Sequence, residues 1–218
     1  MEKELTDLKK LLLALSAEVE GRVKMAVQAL LTADRKLAQK VKGGDSQIDN
    51  LEIELEEECL KVLALHQPVA ADLRFIVSIL KINNDLERVA DFAVNIAERA
   101  IDLSGVIKIE CPYDVARMAE LVEKMLKMAL DSLVEKDTRL ARETIKLDDN
   151  VDAMHRDNFA KVKEAIKNDL SYIDGLVYYL SISRYLERMG DLATNIAEDV
   201  VYQVDGEIIR HGGIQAAL

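Results

Sequence analysis

Apolar residues return at every third or fourth position over long stretches, the period of a helix face and not of a strand. The longest run, Phe75, Ile79, Ile82, Leu86, Val89, Ala93, Ile96 and Ala100, keeps that spacing unbroken, as the seam of a helical bundle does. The pattern predicts six long helices. The first runs from the N-terminus to Thr32, with Asp34 capping a short continuation. Gly43 and Gly44 break the chain, and Asp45 or Ser46 caps a second helix that reaches His66. Pro68 takes a first-turn position and opens a third helix, which ends at Leu103 before Ser104-Gly105. Val106 to Cys111 reads as an extended linker, and Pro112 opens the second half. Helices follow at about 113–136, 138–167 and 170–206, with Asn168, Asp169 and Ser171 as candidate caps. The expected fold is all-α, two tandem three-helix bundles covering 1–105 and 110–218.

The halves are copies of one unit. LERVADFAVNIAE begins at Leu86 and LERMGDLATNIAE at Leu186, with nine of thirteen positions identical. Upstream the offset is 103: Lys24-Met25-Ala26, Leu30, Asp34, Leu37 and Ala38 return as Lys127-Met128-Ala129, Leu133, Asp137, Leu140 and Ala141. Asp45 and Asp49 likewise return as Asp148 and Asp152. The second copy has therefore lost three residues before its last segment, which a turn between helices absorbs.

Composition narrows the function. Half the residues are apolar, Trp is absent, and there are only two prolines and nine glycines, the profile of a helical globular protein. A net charge of −11 argues against nucleic acid as a partner, and leaves cationic partners open, metal ions included. Cys59 and Cys111 are too few for a disulfide framework or a thiolate zinc site, and Cys59 falls on an apolar stripe. The run Leu11 to Leu15 is too short for a membrane span, so a cytoplasmic protein is expected, meeting membranes only through partners.

Positions i and i+4 share a helix face. Four acid pairs at that spacing occupy equivalent places: Asp45/Asp49 and Glu87/Asp91, then Asp148/Asp152 and Glu187/Asp191. Each costs about 0.2–0.5 kcal/mol in repulsion, which something should offset. Glu87 and Asp91 point away from the core seam, with Asn95 and Glu98 on the same arc. Asn195 repeats Asn95. Asp45 and Asp49 flank the apolar line Ile48, Leu51, Leu55 and Cys59, so antiparallel neighbouring helices bring the pairs into one shallow groove. Four carboxylates and an amide suit Mg²⁺, Mn²⁺, Ca²⁺ or iron better than copper or a structural zinc, with zinc at oxygen ligands a further candidate. Against this, Glu52/Glu56, Glu54/Glu58 and Asp131/Glu135 share the spacing and are expected to face water.

Other polar residues have plainer readings. Asp34 and Asp137 recur at helix breaks and are read as caps. His66, His155 and His211 lack metal spacing; His155 lies within reach of the Asp148/Asp152 face but is expected to be solvated. Asp72 suits the start of its helix, with Arg74 as a surface companion. Tyr172, Tyr178, Tyr179 and Tyr185 are expected in the core or an interface. No phosphate loop, nucleophile elbow or HExxH is present, so no enzyme is expected.

These residues resemble the PhoU family of phosphate-uptake regulators over nearly the whole chain. The resemblance implies tandem three-helix bundles whose acidic motifs carry multinuclear metal, iron above all. Those motifs fall here on Asp45, Asp49, Glu87 and Asp91, and on Asp148, Asp152, Glu187 and Asp191. Pro68 and Asp72-Leu73-Arg74 also match the family's central signature, and the second copy lacks both, so any role of the triplet belongs to the first bundle. The resemblance further implies a cytoplasmic negative regulator that contacts a phosphate ABC transporter and a sensor histidine kinase. A homodimer is the expected assembly. Two alternatives stand beside this: a di-metal carboxylate oxidase of ferritin-like type, and a metal-free interaction module. The oxidase needs an inward Glu-x-x-His, whereas Ala90 and Gly190 follow the glutamates here.

Overall fold

The computed structural model describes residues 1–44 and 46–209; Asp45 and His211 lie outside them. Seven α-helices are formed among the described residues: α1 (Glu2–Thr32), α2 (Arg35–Gly43), α3 (Ser46–His66), α4 (Ala70–Leu103), α5 (Val115–Glu135), α6 (Thr138–Asn168) and α7 (Ile173–Asp205). A single 3-10 turn, Leu170–Tyr172, precedes α7. There is no strand among the described residues.

Local chemistry sets the breaks. The Asp34 carboxylate accepts hydrogen bonds from the backbone N–H groups of Lys36 and Leu37, and Asp137 from that of Leu140, each at 3.0 Å. Before these caps stand Ala33 and Lys136, both left-handed with φ of 51° and 55°, so the two copies turn the same corner the same way. Asp114 caps α5 and Asp169 caps the turn before α7. Pro68 departs from expectation: Val69 is the N-cap of α4, and the proline stands outside the helix. The reason is the left-handed Gln67, φ 45°, which ends α3 and throws the next residues into a non-helical crossing.

α2 and α3 together occupy the register of α6. The first copy is broken where Gly43-Gly44 stand and the second is continuous through Lys146-Leu147, as expected when each interior glycine costs about 1 kcal/mol. Buried Arg22 secures the break by donating from its guanidinium to the carbonyl of Gly44. Its counterpart beside the unbroken helix is Met125.

α4 and α7 pack along each other as the central pair. Ser78 Oγ donates to the Asp199 carbonyl at 3.4 Å, Phe92 stacks on Tyr185 at 5.9 Å, and Arg99 sits 5.3 Å over the Tyr178 ring. Each step up α4 is matched by a step down α7, so the pair is antiparallel and the repeats are related by a pseudo-two-fold near Arg88 and Arg188. Of the eight apolar seam residues of α4, all are buried except Phe75, which is half-buried. One continuous apolar cluster spans both repeats. A smaller one, around Tyr113, Val162 and Leu176, is covered by the linker residues Ile109 and Cys111. Cys59 is fully buried, and burial pushes its thiol up to about 12, so it is an inert core residue. No helix among the described residues is long and apolar enough to cross a membrane.

Candidate metal centre

In the second repeat, α6 carries Asp148 and Asp152 on one face and α7 carries Glu187 and Asp191 on the facing flank. Asp152, Glu187 and Asp191 converge: one oxygen from each lies within 4.8 Å of the others. Asp148 joins them electrically. Burial raises its carboxyl to about 6, helped by the charges of Asp191, Asp152 and Glu187, while the Thr194 hydroxyl pulls the other way. Glu187 and Asp191 are raised too, first by burial. Asp148 Oδ1 is buried without a hydrogen bond, and Glu187 Oε2, also buried, meets only the Arg188 Nε at 3.4 Å.

Gly190 makes this approach possible. A Cβ there would stand 3.3 Å from Asp148 Oδ1 and 3.4 Å from a Val151 methyl. Arginines balance the acids. Arg188 bonds Asp191 at 2.8 Å and lies 3.4 Å from Glu187; Arg156 is 3.4 Å from Asp152. Arg88, from the other repeat, lowers Asp191 by its charge and lines the same pocket as Asp148, Arg188, Thr194 and Asn195.

The first repeat assembles a looser set. Glu87, half-buried on α4, is raised by burial and then by Asp91, Glu52 and Asp49, so all four carboxylates share one field. Asp49 and Asp91 are exposed, and among the described residues no trio here closes to the spacing of the second repeat. Asp45 lies outside the described residues. Asn95 is half-buried one turn beyond Asp91, and Glu98 is engaged with Lys42 of α2 at 2.8 Å.

Three expectations are corrected. Glu52 is half-buried and not fully solvated: its carboxyl is raised by burial and by Glu56 and Asp49, and Asn83 Nδ2 donates to its backbone carbonyl at 3.0 Å. His155, at the place of Glu52 by the 103 offset, is not solvated but half-buried, with Nδ1 2.9 Å from Ser183 Oγ. Ser183 in turn stands where Asn83 does, so both copies tie the middle helix to the last one with different chemistry. Arg74 is half-buried and not freely solvated, and its Nε is buried without a hydrogen-bond partner. The tyrosines do fall at interfaces, Tyr185 on Phe92 and Tyr179 edge-on to Tyr113.

Hard oxygen donors held close, with buried oxygens left unbonded, fit a hard cation. The fold and site define a duplicated helical bundle with acidic clusters on its flanks. The PhoU domain model matches residues 12–100 and again 115–200. The chain is 39% identical to the phosphate-specific transport system accessory protein PhoU homolog of Pseudomonas aeruginosa, over 97% of this chain and 88% of that protein. It is 35% identical to the corresponding protein of Aquifex aeolicus, over 98% and 96%. The crystal structure of PhoU from Pseudomonas aeruginosa superposes with a TM-score of 0.90, covering 94% of this chain and 99% of that one. The chain belongs to the PhoU family. The relatives carry the names of accessory proteins and not of enzymes, in keeping with a non-enzymatic protein.

Proposed function

We propose that the protein is a cation-binding regulator of phosphate uptake, restraining it through contacts with a phosphate ABC transporter and a sensor histidine kinase. Its relatives' names place them with the phosphate-specific transport system, which supports that part of the reading. The observation that carries the cation is the convergence of Asp152, Glu187 and Asp191 within 4.8 Å. The unbonded Asp148 Oδ1 beside it supports the same view. These four acids would hold the ion in the second repeat, and Asp49, Glu52, Glu87 and Asp91 would do so in the first. The ion supplies positive charge that cross-links neighbouring helices; iron, Mn²⁺ or Mg²⁺ suits an all-oxygen set.

Elemental analysis of protein purified without chelator or nickel resin tests the reading. Bound metal should fall when Glu87→Ala and Glu187→Ala are combined, and phosphate uptake in cells should be derepressed. Metal content unchanged by the double substitution would remove the assignment. Chelation with EDTA should lower the melting temperature of the wild type, because a ligand bound only to the folded state stabilises it.

A further inference from the structure

The internal repeat exposes a cleft that one half fills and the other leaves open. In the second copy, residues 105–114 run as an extended linker across the first turn of α7. They pack so closely that a Cβ on Gly175 would meet Ile109 at 3.0 Å and Val106 at 3.6 Å. By the 103 offset, the matching stretch of the first copy is 2–11, and there it is helical, the start of α1. Held in a helix, it does not lie across the first turn of α4. A cleft of about 600 Å³ remains between α1, α4 and α7.

The cleft has an apolar wall of Leu5, Phe75 and Val204. Its polar groups are unusual. Gln203 is 8% exposed and its Oε1 has no partner; its counterpart in the sealed half is Leu103. Arg74 Nε is likewise buried and unbonded, packed beside Gly206 at the end of α7. One unpaired acceptor and one unpaired donor are what the N–H and C=O of a passing peptide unit satisfy. Cations outnumber acids on the lining: Lys9, Arg74 and Lys136 against Glu2 and Asp72. Phe75 replaces Gly175, so an occupant lies outside that ring and not in the deeper slot the linker takes.

We propose that this cleft docks an extended segment of a partner protein, bearing aliphatic side chains spaced as Val106 and Ile109 are and an acidic residue between them. The backbone of that segment bonds Gln203 and Arg74, its aliphatic side chains rest on the apolar wall, and its acid meets Lys9 and Lys136. This docking does not depend on a bound cation.

Fluorescence polarisation with a labelled peptide of residues 105–110 carrying Lys108→Glu tests it on the whole chain. Saturable binding is expected, weakened about tenfold by Gln203→Leu and by Arg74→Met, each the loss of one buried hydrogen bond. Should either variant unfold, a photo-crosslinker at the Val106 position of the peptide should mark Leu5, Phe75 or Val204 of the wild type. The proposal is overturned by crosslinks elsewhere, by no saturation at about 1 mM peptide, or by affinity indifferent to both substitutions. Binding that appears only after residues 210–218 are removed would make the chain's own end the occupant and overturn it too. A dimer dispersed by Gln203→Leu, seen in sedimentation, would assign the cleft to a second copy with the same result.

Discussion

Asp148 concentrates the strain of the site. Burial and three neighbouring carboxylates carry it from 3.8 to about 6 in the folded chain. An acid raised in this way favours the folded state while protonated and weakens it once ionised. Cation-free protein should therefore lose stability as pH climbs from about 4 through 6, and Asp148→Asn should flatten that stretch. Melting temperatures in EDTA at successive pH values check this; a flat wild-type curve would contradict it. Gly190 makes a second prediction. Gly190→Val should cost about 1–3 kcal/mol by overpacking against Asp148 and Val151, and, on the proposed cation-binding reading, should lower metal binding at the second repeat while sparing the first. Denaturant midpoints and metal stoichiometry read both. The paired acids were legible in the sequence because they recur. Glu52 and His155 were not, because the residues they bond, Asn83 and Ser183, belong to other helices.

At the scale of elements, the helices followed from apolar spacing and capping residues, down to the short α2 after Asp34. Pro68 misled because its ring permits a first-turn position without requiring one, and the left-handed Gln67 decided otherwise. The role of Arg22 was hidden for a different reason. An arginine on an apolar face usually sends its head to water, but this one is 6% exposed and serves the carbonyl of Gly44. Arg22→Met, which copies the residue at 125, keeps the volume and removes the bond. It should destabilise the protein by about 1.5–3 kcal/mol, the range for a hydrogen bond to a charged group. Urea unfolding provides the measurement, and an unshifted midpoint would show the break to be held by other contacts.

The whole molecule is more united than a tandem pair suggests. The repeat announced two bundles, but no spacing in a single copy reveals that α4 and α7 pack along each other or that one apolar cluster runs through both halves. A chain of residues 1–105 alone leaves bare the face of α4 that packs on α7 through Ser78, Phe92 and Arg99. It should pair with itself through α4, copying the pseudo-two-fold, and sediment as a dimer. A stable monomer of that fragment would mean the α4–α7 interface contributes little.

Arg88 lies in one repeat and tempers Asp191 in the other. Such an exchange fits descent from a shorter ancestor that met its own twin, when the two charges belonged to separate molecules. Carrying both copies on one chain fixes their stoichiometry and also frees them from identity. A dimer encoded once must alter both of its sites together, whereas a fused pair changes one at a time, as Glu52 against His155 and Ala90 against Gly190 record.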